Sequence, residues 1–139
     1  QAMLAAFALG ADGVQIGSRF AASVESSGHI NFKKGIINSS ENDTILTLKE
    51  LAPVRILKSP FYTKIFDAYN NGASTQELKT LLGKGRAKKG MFEGNLEEGE
   101  LEIGQVSAQI DEIKTVDEII EELTDGFKRA RNNLNNFDF

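Results

Sequence analysis

Residues Gly10-Ala11-Asp12-Gly13-Val14-Gln15-Ile16-Gly17-Ser18-Arg19-Phe20 constrain this chain more than any other stretch. They read as the end of a helix stopped at Gly10, a short strand at Val14-Gln15-Ile16, and a glycine turn leading into a second helix. The remaining sequence carries helical patterns and one further pair of strands. A lone strand leaves unpaired N–H and C=O groups along both edges, so the strand near Val14 calls for a sheet that the other residues do not supply. The turn also falls at residue 17 of 139, and the chain opens on Gln1 inside an apolar helical pattern. Together these features predict the C-terminal part of a larger α/β protein.

The rest of the chain is punctuated clearly. Ser18 to Val24 reads as a small-residue helix broken by Gly28-His29. Asn31 is placed to cap a short helix over Phe32 to Ile37, with Phe32, Ile36 and Ile37 on one face. Asp43 to Leu48 and Val54 to Leu57 alternate as a hairpin would. Pro60 suits the first turn of a helix running to Asn71-Gly72. Ser74-Thr75-Gln76-Glu77 and Thr115-Val116-Asp117-Glu118 are capping boxes; the first opens a helix ending near Gly83. The second opens a terminal amphipathic helix whose apolar face runs from Val116 through Ile119, Ile120, Leu123 and Phe127 to Leu134. Six glycines between Gly83 and Gly104 predict loops and tight turns there. Ile103 to Ile113 resumes a helical pattern, and Asn132 to Phe139 is expected to fray.

Composition excludes more than it assigns. A net charge of −4 gives no basic footprint for nucleic acid. The apolar opening Ala2 to Leu9 is far short of the roughly 20 residues a membrane span needs, and no basic residues precede it as in a signal peptide. The chain has no cysteine, hence no disulfide, thiolate metal site or cysteine nucleophile, and it fits a reducing cytoplasm.

The turn itself has two readings. At the end of a strand, a glycine lets the backbone approach an anion closely, and the N–H groups that follow can donate to phosphate oxygens. Gly17 and Ser18 fit that role, Ser18 adding a hydroxyl. The plainer reading is that Gly13 and Gly17 merely permit tight turns, and short glycine motifs alone do not decide between them.

Gly10 to Phe20 resembles the last-strand motif of the nitronate monooxygenase (formerly 2-nitropropane dioxygenase) family, which includes the FMN-dependent enoyl-ACP reductase II. Other segments are similar to that family in the same order: Glu25-Ser26-Ser27-Gly28-His29 with Phe32-Lys33, then Asp43-Thr44, then Val54-Arg55-Ile56-Leu57-Lys58. Gly85-Arg86-Ala87, Glu98-Gly99 and Gly104-Gln105 complete the set. The resemblance implies an α/β fold: residues 1–27 as the end of an FMN-binding (β/α)8 TIM barrel, and residues 28–139 as a mainly helical lid domain with a β-hairpin near 43–57. It implies that Gln15, Ile16, Gly17 and Ser18 bind the FMN phosphate and ribityl chain, that Gln105 reaches the cofactor edge, and that the catalytic residues lie upstream.

The implied activity is oxidation of nitronates or nitroalkanes with O2. The alternative is reduction of an enoyl thioester by NAD(P)H. The implied partners are accordingly a small-molecule substrate, with NAD(P)H in the second case; a homodimer stays open. An IMP dehydrogenase-like barrel and a non-catalytic helical module are the remaining readings.

Several single residues attract attention. His29, the one histidine, sits between a glycine break and a helix start, where an imidazole caps or bridges backbone. Glu97, Glu98, Glu100 and Glu102 read as a solvated acidic turn; no metal-ligand spacing is legible. Lys84, Arg86, Lys88 and Lys89 read as a solvated basic loop.

Overall fold

The computed structural model describes residues 1–136. Six helices and one hairpin follow in order: α1 Ala2–Ala8, α2 Ser18–Ala21, α3 Ile30–Ile37, β1 Thr44–Thr47, β2 Val54–Leu57, α4 Pro60–Asn70, α5 Thr75–Leu82 and α6 Val116–Leu134. A single turn of π-helix, Lys88–Phe92, and a 3₁₀ turn, Gln105–Gln109, lie between α5 and α6. Among the described residues no helix is long and apolar enough to cross a membrane.

Strand β2 is the centre of the arrangement. It pairs antiparallel with β1, Thr44 opposite Leu57 and Thr47 opposite Val54, which is the expected hairpin. On its other edge the Leu57 N–H donates to the Leu101 carbonyl (2.9 Å) and the Ile103 N–H to the Arg55 carbonyl (3.1 Å). Both edges of β2 are therefore covered. Because successive side chains on a strand point to opposite faces, Ile56 and Leu57 enter different cores. Ile56 packs with Leu48, Phe61, Ile65 and Leu78 under α4 and α5. Leu57 packs with Phe32, Ile36, Leu101, Ile103 and Ile110 against α3.

The helix ends follow the local chemistry. Ser59 caps α4 by accepting the Tyr62 N–H, with Pro60 in the first turn. Both capping boxes form in full, Ser74 with Glu77 and Thr115 with Glu118. At α3 the cap is His29 rather than Asn31: Nδ1 of His29 accepts the Asn31 N–H at 3.1 Å, so the imidazole takes the place an Asp or Asn oxygen usually fills. Lys33 is buried on α3, and its ammonium donates to the carbonyls of Val24 (3.1 Å) and Ser26 (2.8 Å). That draws the preceding loop onto the helix and satisfies a charge that would be costly to bury alone.

Four expectations are corrected. Val14-Gln15-Ile16 is not a strand: the one sheet among the described residues is β1–β2, and no neighbouring strand is at hand to complete a ladder. Helix α2 stops at Ala21 because serines turn the chain beyond it: Ser23 Oγ accepts the Ser26 N–H and Ser26 Oγ the Gly28 N–H, a local competition that breaks helices. Ile103 to Ile113 is not one helix; Ile103 is committed to the edge of β2, and Ile110 leaves the 3₁₀ turn with extended backbone. Helix α6 continues through Leu134 past the expected fraying point at Asn132, while residues 137–139 lie outside the described residues.

The glycine-rich segment is more ordered in purpose than a loop. A Cβ on Gly99 would overlap the Gly90 backbone, and one on Gly90 would overlap the Glu100 carbonyl. Two stretches of main chain touch there with no room for a side chain. The terminal helix closes the assembly: Phe127 meets Phe7 of α1 edge-to-face at 5.8 Å, a favourable aromatic geometry. Both carboxylate oxygens of Glu25 accept the Val116 N–H at the start of α6 (3.0 Å each).

Candidate functional site

Gln15, Ile16, Gly17 and Ser18 run consecutively into α2 and line one cleft of about 800 Å³, together with Gln109 and Leu123. Gly17 has an ordinary negative φ of −95°, and no atom lies within 4 Å of where its Cβ would be. Neither backbone conformation nor packing inside the chain calls for a glycine at this position. The same holds at Gly13, which has no positive φ and no neighbour within 4 Å of a Cβ. The tight-turn reading of these two glycines thus loses its physical basis.

Ser18 ties this turn to a segment 86 residues away. Its Oγ accepts the Gly104 N–H at 3.2 Å, and a Cβ on Gly104 would come within 2.8 Å of that oxygen. Having accepted one hydrogen bond, the hydroxyl keeps its own proton to donate. Gly17 and Ser18 also line a second cleft of about 620 Å³, whose walls include Gly28, Phe32, Arg55, Met91 and Gly104. Gln105 is not in either cleft. It lines a third, of about 500 Å³, with Glu41, Thr44, Arg55 and Gln109. The four turn residues share one cleft, and Gln105 is set apart from it, linked through Gly104 and through Val106 and Gln109, which line both its cleft and theirs.

Arg19, the cation of the motif, lines the same cleft as the turn, and its guanidinium is engaged by the segment leading into α6 and by α6 itself. It donates to the Glu112 carbonyl (3.0 Å) and pairs with Glu122 at 3.7 Å. Glu122 also accepts from Lys114 at 3.2 Å, and that hydrogen bond raises the Lys114 pKa above its ordinary value. His29 is engaged as a cap, its backbone N–H donates to the Met91 carbonyl at 2.7 Å, and Gly94 packs on its ring.

The acidic and basic runs are solvated only in part: Glu97, Glu102, Lys84 and Lys88 are exposed as expected, whereas Glu98, Glu100 and Arg86 are not. Glu98 accepts from Lys64 and Arg86, whose hydrogen bonds hold its carboxyl below the usual range. Glu100 is buried, and loss of hydration followed by the nearby Glu102 charge pushes its carboxyl up. Arg86 donates to three backbone carbonyls and lies over the Phe61 ring. Tertiary contacts, which a run of like charges cannot reveal, recruit these groups. Among the described residues no group of His, Cys, Asp or Glu is placed to hold a metal ion.

The raised carboxyl of Glu100 has a definite sign. A native value above the unfolded one means the folded chain binds more protons between the two, so stability falls as pH rises through that window. Replacement by Gln therefore stabilises at pH 7 and loses its advantage below the ordinary value of 4.5. Thermal unfolding of the protein and of Glu100→Gln at pH 7 and pH 4 checks this; an equal difference at both pH values contradicts it. The depressed carboxyls of Glu77, Glu98 and Glu118 act oppositely but are common to both proteins.

Arg55 is the lining residue that sequence reasoning passed over. It shows in the sequence as the polar position of an apolar strand and as part of the family-like segment Val54 to Lys58, neither of which marks it as a lining residue.

A family model described as nitronate monooxygenase matches residues 1–126. This chain belongs to the nitronate monooxygenase family. The structure of FabK from Thermotoga maritima is 40% identical with a TM-score of 0.86, covering 96% of this chain and 42% of that one. A single-substitution mutant of the same FabK gives 39% identity and a TM-score of 0.80, with 96% and 40% covered. The chain thus spans about two-fifths of the FabK structures it matches. No match to a curated protein sequence reached significance.

Proposed function

We propose that this chain is the C-terminal portion of an FMN-dependent oxidoreductase of the nitronate monooxygenase type, oxidising nitronates with O2. In this reading residues 1–27 are the end of the flavin-binding TIM barrel and residues 28–139 a lid domain. Gln15, Ile16, Gly17 and Ser18 hold the phosphate end of FMN. The observation that carries it is Gly17: a glycine without conformational or packing need inside the chain, opening the backbone of the turn to an outside group. The residues fit an anion. Ser18 has a hydroxyl proton to donate, and the N–H groups of Ser18, Arg19 and Phe20 have no acceptor among the described residues. Such N–H groups favour phosphate oxygens.

When bound, the flavin supplies the electron chemistry, and the protein supplies orientation and electrostatics. The Ser18–Gly104 hydrogen bond fixes the turn against the segment that bears Gln105, setting the place of that amide relative to the phosphate end. Gly17→Val in the full-length protein is expected to weaken FMN at least tenfold while leaving riboflavin, which lacks the phosphate, within twofold. Flavin fluorescence titration reads both; an unchanged FMN affinity overturns the reading.

A second reading, reduction of an enoyl thioester with NAD(P)H, is favoured by the 40% identity to FabK together with the sequence resemblance to enoyl-ACP reductase II. O2 uptake with a nitronate against NAD(P)H consumption with an enoyl thioester distinguishes the two in the flavin-loaded enzyme.

A further inference from the structure

Arg55 is half-buried on β2 and occupies the wall between two clefts, the one of about 620 Å³ shared with Gly17 and Ser18 and the one of about 500 Å³ shared with Gln105. It supplies the cation in both linings. Its guanidinium makes one side-chain hydrogen bond, from Nη1 to Thr44 Oγ1 at 3.1 Å. Among the described residues no carboxylate pairs with it, although Glu102 and Glu41 line the same clefts. The contrast with Arg19 and Arg86 is sharp, since each of those has a Glu partner. A partly desolvated guanidinium with most of its five donors unused is an unfinished arrangement, and a planar fork of this kind is best completed by a phosphate or carboxylate.

The backbone places this cation near the anion turn. The Ile103 N–H donates to the Arg55 carbonyl at 3.1 Å and the next N–H, of Gly104, donates to Ser18 Oγ at 3.2 Å. Adjacent backbone nitrogens are no more than about 3.8 Å apart, so the Arg55 main chain and the Ser18 hydroxyl lie within about 10 Å, a span that an arginine side chain and one anion can bridge. We propose that Arg55 is the side-chain anchor for a phosphate ester bound in the cleft between the Gly17–Ser18 turn and β2, with Thr44 orienting the guanidinium. This rests on the flavoenzyme reading for the identity of the ligand but not for the existence of the site. The phosphate belongs either to the flavin or to a second substrate such as a pyridine nucleotide or a phosphopantetheine thioester.

Arg55→Met and Arg55→Lys in the full-length protein test the proposal. The first arm compares FMN with riboflavin by fluorescence titration. The second compares KM for a CoA thioester and for NADPH with KM for analogues lacking the phosphate, a truncated thioester and a nicotinamide riboside. Arg55→Met is expected to cost about tenfold or more toward the phosphate-bearing member of one pair, with the phosphate-free member unchanged and Arg55→Lys recovering part of the loss. Loss in the first arm assigns the flavin phosphate, and loss in the second assigns the substrate. Equal change in both members of every pair, with or without a lower melting temperature, overturns the proposal and leaves Arg55 a structural residue. If the unsubstituted protein binds riboflavin as tightly as FMN, the phosphate-turn reading fails on its own, and the substrate arm still decides Arg55.

Discussion

Arg86→Met is expected to remove about 3 kcal/mol of folding stability, a large part of what a domain of this size possesses. The guanidinium closes three gaps at once. Nε donates to the Leu82 carbonyl at 3.1 Å and Nη2 to the Leu81 carbonyl at 3.2 Å, satisfying carbonyls at the end of α5. Nη1 donates to the Glu98 carbonyl at 2.9 Å, bringing the glycine-rich segment to that helix end. The fork lies 4.6 Å from the centre of the Phe61 ring in the α4–α5 core. Each hydrogen bond contributes about 1 kcal/mol and the ring contact about 0.5–1; the side chain is 24% exposed, which reduces the total. Methionine keeps the stem packing and loses all the donors. Arg86→Lys keeps the charge but not the fork, so it should recover less than half of the loss. Glu98→Gln should matter far less, because an ion pair of partly exposed groups contributes little. Denaturant unfolding measures all three, and a loss under 1 kcal/mol for Arg86→Met contradicts the clamp.

Gly99→Ala should be comparably damaging for a different reason. The new methyl group falls on the Gly90 backbone and the Asn95 carbonyl, and main chain cannot swing aside as a side chain can. Overpacking of that sort costs about 3 kcal/mol or more when no flexible group gives way. Gly126→Ala is the control: it lies inside α6 with only the Arg129 side-chain terminus within 4 Å. There the exchange should gain about 0.5–1 kcal/mol from helix propensity. Melting temperatures moving in opposite directions support the backbone-contact account. A Gly99→Ala protein as stable as the parent refutes it.

What was legible in the sequence was what local chemistry decides. Ser59-Pro60, Ser74 with Glu77 and Thr115 with Glu118 mark helix starts through side-chain to backbone bonds a few residues long. The 43–57 hairpin shows in its alternation. Contacts between distant segments were not legible. Nothing in residues 101–103 announces that they complete β2, and nothing in Gly90 or Gly99 announces that the two main chains touch. The misreadings have the same origin. Glu98, Glu100 and Arg86 read as exposed charge runs until the fold gives them partners, whereas the backbone-capping place read for His29 is local and is where its imidazole acts.

At the candidate site, the contiguous turn Gln15 to Ser18 was legible because glycine and hydroxyl chemistry is local. Its tie to Gly104, 86 residues on, was visible only as two separate family-like segments. Arg55 was hidden because a strand residue shows its face in the sequence but not what stands opposite.

The placement of Ile56 and Leu57 in different cores has a consequence for how this chain comes apart. Neighbours along one strand, bonded through one peptide, each anchor a separate apolar cluster, and β2 is hydrogen-bonded on both flanks. Loosening either cluster frees the strand that the other needs. No seam runs between the α4–α5 half and the α3 half along which the chain could be divided into modules, so the two should melt in a single transition.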